Sequence, residues 1–355
     1  MPEKRMTILD TYYPPAIRAM PVDPEVSYNG NLRKVLDRCF GTSDFYSFNL
    51  HKLDWDCQDV IANHSDLQAR YLEENAFARD SKNLEQIALL QIEKHESSVL
   101  FCQDLSYLSL HALEKLRKSG VYLAGQCSCP FPDAEKVRMF QTLFTSFPHY
   151  LEKFKALGVK AHYNPLAFES RILRRIKPYT QRDIPILFVG GVGTPSHWKY
   201  GMEILDRIAI EFTEAQFYGY GYDSLTEDSP IRRAWKGEAW GLDMYKLYSR
   251  AKIVINRHGE VAEGFTNNMR TFEATGCGAL LLTEESKNLG DLFMEGSEVL
   301  SYKNHSDLIA RVADMVNRES VREEIASNGQ LKTLMEHTYE KRMKFLSERL
   351  LEDME

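Results

Sequence analysis

"IPILFVGGVGTPSHWKYGMEILDRIAIEFTEAQFYGYG", residues 184–221, decides the fold. The apolar run 184–191 has strand length and ends in glycines, 197–212 carries apolar residues at helical spacing, and 215–221 is a second short apolar run. A strand, a covering helix and a second strand make a parallel pair, because parallel strands need a long crossover. The same order continues with a helix at 241–251, "KIVINRH" (252–258), a helix at 268–277 and "GALLLTE" (278–284), followed by "LGDLFMEG" (289–296) and the strand "EVLSYKN" (298–304).

The first half has the same organisation. "MTILDTYY" (6–13), "SSVLFCQDL" (97–105), "GVYLAGQC" (120–127) and "QTLFTSFP" (141–148) are strand-length runs, separated by helical patterns at 31–41, 66–80 and 108–120. The sheet is therefore built twice, and "KPYTQRD" (177–183) lies between the two halves. At 355 residues the chain exceeds what one core usually serves, which also gives two domains. Ligands of such doubly wound sheets bind beyond the carboxyl ends of the strands. The tail "RESVREEIASNGQLKTLMEHTYEKRMKFLSERLLE" (318–352) predicts two helices broken at Asn328 and Gly329.

With 43% apolar and 27% charged residues the composition is that of a folded protein. A net charge of −7 and scattered basic residues argue against nucleic acid as a partner. The start "MPEKRMTILDTYYPP" lacks the apolar run of a signal peptide and no stretch is long and apolar enough to span a bilayer, so a cytoplasmic location is expected. The six cysteines stand singly or as one Cys-x-Cys, "GQCSCP" (125–130), with no second Cys or His pair at zinc spacing. They are expected as reduced, structural thiols and no metal site is expected.

"NNMRTFEATGCGALLLTEES" (267–286) holds the strongest chemical signal. Asn267 and Asn268 are N-cap residue types, and the free N–H groups of a first helical turn attract phosphate. Arg270 and Glu273 project near one face of that helix; an arginine suits a diphosphate, and a carboxylate suits the hydroxyls of a ribose. The same pair also reads as a surface ion pair of about 0.2–0.5 kcal/mol. The turn through Gly190, Gly191 and Gly193 allows close approach of an anion, or is a tight strand-to-helix connection; it carries neither GxGxxG nor a Walker lysine. "NRHGEVAEGF" (256–265) adds Arg257, His258, Glu260 and Glu263 in a loop after a strand. In the first half Asp10, Asp104 and His149 each follow a strand and are general-base types, although an aspartate there is also a routine N-cap.

These pieces, in this order, resemble the GT-B glycosyltransferases, in particular the CgeB-like branch. The resemblance rests on "ILFVGGVG", "WGLDMYKLYSRAKIVINRH", "NNMRTFEATGCGALLLTE" and "LFMEGSEVLSY", with "ILDTYYP", "CFGTSDFYSFNL", "QDLSYLS", "SFPHYLEKFKALGV" and "YNPLAFE" in the first half. It implies an α/β architecture of two Rossmann-like doubly wound domains facing across a cleft. These are an acceptor domain (1–180), a nucleotide-sugar donor domain (181–334) and a C-terminal helix (335–355) crossing back to the first domain. Glu273 would hold the donor ribose, Asn267, Asn268 and Arg270 would lie by the diphosphate, and Gly191 to Gly193 would face it. "WKGEAWG" (235–241) would lie beside the base.

The implied activity is transfer of a sugar from a nucleotide-sugar donor to an acceptor hydroxyl, with no cofactor and no divalent metal. Arg270, helped by Arg257 or Lys199, would take the place of the cation, and His258 completes the donor-binding set. Broader members pair two glutamates eight residues apart, whereas here Phe265 stands eight residues before Glu273. An inverting enzyme would use Asp10, Asp104 or His149 as base. The alternatives are a sugar-nucleotide epimerase of the same fold, which needs no acceptor, and a non-catalytic hinged binding protein.

Overall fold

The computed structural model describes residues 4–176, 181–192, 199–266 and 268–355, with the backbone alone at Lys199 and Tyr200. The chain divides into two units, Met1–Pro165 with Tyr339–Glu355, and Leu166–Thr338. The unit boundary thus lies before the expected 180, and helix Arg171–Ile176 packs on helix Leu242–Arg250 of the second unit.

The first unit is a parallel sheet of β1 (Arg5–Asp10), β2 (Asp56–Ile61), β3 (Val99–Cys102), β4 (Tyr122–Cys127), β5 (Thr142–Thr145) and β6 (Lys160–Tyr163). Their spatial order is β2-β1-β3-β4-β5-β6. The inner strands β3 and β5 are buried at every residue, as expected where helices cover both faces of a parallel sheet. Sequence reading missed β2 and β6, the two edge strands. "DCQDVI" and "KAHY" are partly exposed over most of their length and so lack an apolar run.

Helix Tyr339–Met354 completes this unit. It packs against helix Phe45–His51, and Tyr339 meets Phe45 with ring centroids 5.3 Å apart. Trp55 Nε1 donates to Ser347 Oγ at 2.8 Å. At its far end Asp353 accepts from His162 Nε2 at 2.7 Å and from Thr142 Oγ1 at 2.8 Å.

The second unit repeats the plan with β7 (Ile184–Gly191), β8 (Ala215–Tyr220), β9 (Trp235–Gly237), β10 (Ala251–Asn256), β11 (Leu280–Glu284) and β12 (Leu300–Tyr302), ordered β12-β11-β10-β7-β8-β9. All these pairs are parallel. Its core gathers Ile186, Phe188, Ile204, Ile208, Ile253 and Leu282. The central strands β10 and β11 are almost wholly buried, whereas β8, beside the short edge strand β9, alternates buried and half-buried residues.

The expected break at Asn328 and Gly329 is absent: helix Glu319–Glu336 runs through it and ends at His337. A Cβ at Gly329 would collide with the carbonyl oxygen of Glu298 and approach Thr275, so this glycine serves close packing and is not a helix stop. Gly329→Ala is expected to destabilise the protein by about 1–3 kcal/mol through overpacking against backbone. Urea unfolding monitored by circular dichroism measures this directly.

Candidate functional site

The site lies in the second unit at the carboxyl ends of β7, β10 and β11. The last residue of β10, Asn256, is fully buried and forms its hub. Its Oδ1 accepts from Asn268 Nδ2 at 2.8 Å and from Arg270 Nη1 at 2.9 Å. Its Nδ2 donates to Thr283 Oγ1 at 3.0 Å and Thr271 Oγ1 at 3.3 Å, and its carbonyl accepts from Tyr302 O–H at 2.8 Å. Sequence reading missed this role, although an asparagine closing the apolar run "KIVI" was the available signal.

Helix Met269–Gly276 begins where expected, with Asn268 as N-cap. Its side-chain oxygen accepts from Thr271 N at 3.2 Å, and its amide also donates to the carbonyl of Arg257 at 2.9 Å. A cap held on both sides fixes the direction of the first turn. Gly193 and Asn267 lie outside the described residues, and Lys199 is placed only as the first residue of helix Lys199–Glu211.

Arg270 and Glu273 do not form the surface ion pair considered above. Glu273 is 5% exposed, and its Oε1 accepts from Tyr245 O–H at 3.1 Å. Burial pushes its carboxyl up to about 7, opposed by Arg270 and by the tyrosine hydrogen bond. Arg270 reaches across the sheet, donating through Nη2 to the carbonyl of Val189 on β7, and its guanidinium sits 4.9 Å from the Phe188 ring centroid. Arg270 Nε is buried and has no hydrogen-bond partner among the described residues.

Arg257 converges on the same strand. Its Nη2 donates to the carbonyl of Gly191 at 2.8 Å, and its guanidinium lies 5.6 Å from the same Phe188 ring. Desolvation and the neighbouring Arg270 lower its pKa to about 10, so it remains a cation near neutrality. Two glycines make room for this pair: a Cβ at Gly190 would meet the Arg270 guanidinium, and one at Gly201 would meet that of Arg257. The glycine end of β7 and the arginines therefore form one feature, which neither segment showed alone.

His258 is half-buried between Asn268 and Thr283, with Nε2 3.2 Å from Thr283 Oγ1. Desolvation, with Arg270 nearby, lowers its pKa to about 4 and leaves the imidazole neutral. Its backbone N–H donates to Glu284, whose carboxyl burial raises. A cavity of about 310 Å³ opens here, lined among others by Gly201, Arg257, His258, Glu260, Glu284 and Tyr302. The loop after His258 is tethered by Lys287, whose Nζ donates to the carbonyl of Glu263 at 2.8 Å. Beyond β8, Tyr220 and Trp240 stack with centroids 5.8 Å apart and planes 16° apart.

In the first unit Asp10 ends β1, Asp104 follows the adjacent strand β3, and the two are joined through Thr11. Its N–H donates to Asp10 at 2.8 Å and its Oγ1 to Asp104 at 2.9 Å. Burial, with a smaller contribution from Asp104, raises Asp10 to about 7. His149 follows β5, separated from β3 by β4, and packs its ring on Tyr150 and Phe147 with centroids 4.6 and 5.2 Å away. The two aspartates are thus brought together and the histidine stands apart. Among the described residues no three His, Cys, Asp or Glu side chains gather as a metal site. No described helix is long and apolar enough to cross a membrane.

Two six-stranded parallel sheets, each with its own covering helices, are the layout of the GT-B glycosyltransferases. Residues 203–348, most of the second unit and part of the last helix, match the model of the family described as "Glycosyl transferase-like". No curated protein matches the chain in sequence. Among solved structures, the chain is similar to HepE from Anabaena in complex with UDP and glucose, at 12% identity, 97% coverage of this chain, 98% of that one and a TM-score of 0.62. It is also similar to a glycosyltransferase from Rickettsia africae, at 10% identity, 99% coverage of both chains and a TM-score of 0.60. A third is the sucrose-phosphate synthase of Thermosynechococcus elongatus, at 10% identity, 98% coverage of both and a TM-score of 0.60. At these identities the likeness establishes the fold.

Proposed function

We propose that this chain is a CgeB-like, cytoplasmic glycosyltransferase that moves a sugar from a nucleoside-diphosphate sugar to an acceptor hydroxyl. The observation that carries the reading is the pair of arginines, Arg257 and Arg270, whose guanidiniums lie 5.6 and 4.9 Å from the one Phe188 ring and donate to the Gly191 and Val189 carbonyls of β7. Two cations drawn together in a largely desolvated place repel each other, and a bound diphosphate offsets that repulsion. The buried, unpartnered Nε of Arg270 is a further donor for such a ligand.

Transfer proceeds with positive charge growing on the sugar ring and negative charge on the departing diphosphate. Arg270 and Arg257 stabilise the leaving group, and the first-turn N–H groups of helix Met269–Gly276 add to the field. No divalent cation or other cofactor is needed for this. Glu273 accepts from the donor ribose, and the 235–241 segment lies by the base. Asp10, ionising near 7 beside Asp104, takes the acceptor proton if the reaction inverts.

A calorimetric panel of nucleotides and nucleotide sugars without added metal tests the reading. At least one nucleotide sugar is expected to bind wild type, with affinity falling on the order of a hundredfold in Glu273→Ala as two charge-assisted hydrogen bonds are lost. Because Glu273 accepts best when ionised, binding should strengthen as pH rises through about 7. A panel in which no ligand binds wild type overturns the donor-site reading. Activity abolished by EDTA and restored by manganese overturns the metal-independent part of it.

A further inference from the structure

In the first unit, β4 ends in a pair of cysteines whose surroundings differ sharply. Cys127, its last residue, is fully buried, whereas Cys129, two residues on, is the one exposed thiol of the six. Cys39, Cys102 and Cys277 are buried and Cys57 is half-buried. Cys129 thus differs from the buried thiols in being open to solvent.

β4 ends at Cys127, so Cys129 lies outside the strand and its alternation. The chain bends at Cys129 and Pro130, and Cys129 Sγ lies 3.6 Å from the Pro130 carbonyl oxygen. Cys127 Sγ lies 3.8 Å from the carbonyl oxygen of Cys129. The segment is pinned from both sides: Ser146 Oγ donates to Ser128 Oγ at 2.8 Å, Gln126 Nε2 donates to the same oxygen at 3.1 Å, and Tyr150 O–H donates to the Cys129 carbonyl at 3.3 Å.

We propose that Cys127 and Cys129 form a reversible intramolecular redox site, with Cys129 as the attacking thiolate and Cys127 as the resolving thiol, oxidised by hydroperoxides. Several features select Cys129 for attack. It alone among the six thiols is open to solvent, and the neighbouring Cys127 side chain holds its pKa below the usual thiol value against desolvation and the Asp104 carboxylate. The same contact, with burial, holds Cys127 protonated.

The chemistry balances in two steps. The Cys129 thiolate attacks one oxygen of hydrogen peroxide, the O–O bond breaks, hydroxide leaves and a sulfenic acid forms. The Cys127 sulfur then attacks the sulfenic sulfur, the S–O bond breaks, and the thiol proton leaves with the departing hydroxyl as water. Two electrons pass from the two thiols to the peroxide, and a dithiol reductant reverses the change. The site lies in the first unit and does not depend on the donor-site reading.

Mass spectrometry of the native protein after brief peroxide treatment tests it. The peptide containing residues 127 and 129 should lose two hydrogens, resist alkylation, and recover both thiols after dithiothreitol. Iodoacetamide should modify Cys129 on the order of tenfold faster than Cys57 near neutral pH. In Cys127→Ser the reaction should stop at a sulfenic acid trapped by dimedone, and Cys129→Ser should abolish the two-hydrogen loss. Oxidation of wild-type Cys129 directly to sulfinic or sulfonic acid, with Cys127 still alkylatable on unfolding, would overturn the proposal. The wild-type measurement decides this even if the buried Cys127→Ser variant fails to fold.

Discussion

Arg270→Ala is expected to lower kcat/KM for sugar transfer by about a hundred- to a thousandfold, the usual cost of removing one preorganised donor from a developing negative charge. The side chain is fixed before any ligand arrives: one terminal nitrogen is on Asn256 and the other on the carbonyl of Val189, with the guanidinium over Phe188. Little reorganisation is then left for the reaction step. Arg270→Lys keeps the charge but cannot span Asn256 and Val189 together, so it should recover only a small part of the loss. Steady-state kinetics with the donor found in the calorimetric panel gives the number. A rise in KM alone, with kcat unchanged, would assign Arg270 to uniform binding instead of leaving-group stabilisation.

Asn256→Ala should produce the largest combined effect, lowering stability by about 2–4 kcal/mol and weakening donor binding as well. Four side-chain hydrogen bonds end on this fully buried amide. Truncation leaves the Arg270 Nη1 and Asn268 Nδ2 donors without their shared acceptor, and stranded buried donors cost more than the mean worth of a hydrogen bond. Asn256→Asp should be milder, because a carboxylate accepts from both donors, faces Arg270, and can receive the rotatable hydroxyls of Thr271 and Thr283. Denaturant unfolding and calorimetry on the two variants check both halves. Equal stability for Ala and Asp would show that the hub is spatial filler.

The fold was legible because a buried parallel sheet writes itself as apolar runs. "VLFC", "TLFT" and "ALLLT" are buried nearly throughout, and no other arrangement hides such runs between helices. The edge strands β2, β6 and β9 carry no such mark and went unread, whereas the fourth edge strand, β12, is buried throughout and was read. Gly329 misled for a related reason: its type reads as a helix stop, but the need for it comes from Glu298, which packs against it from a distant part of the chain.

At the site, the residue types were readable but their partnerships were not. The sequence alone determined that an asparagine at 267 or 268 would cap a helix, that Arg270 and Glu273 would ride its first turns, and that β7 would end in glycines, since each depends on neighbours a few residues away. Only the tertiary structure decided that Arg270 crosses to Val189, that Arg257 joins it over Phe188, and that Glu273 is buried against Tyr245. Those contacts join residues brought adjacent by strand order. Strand order is set by how whole faces bury one another, and no short stretch of sequence records it.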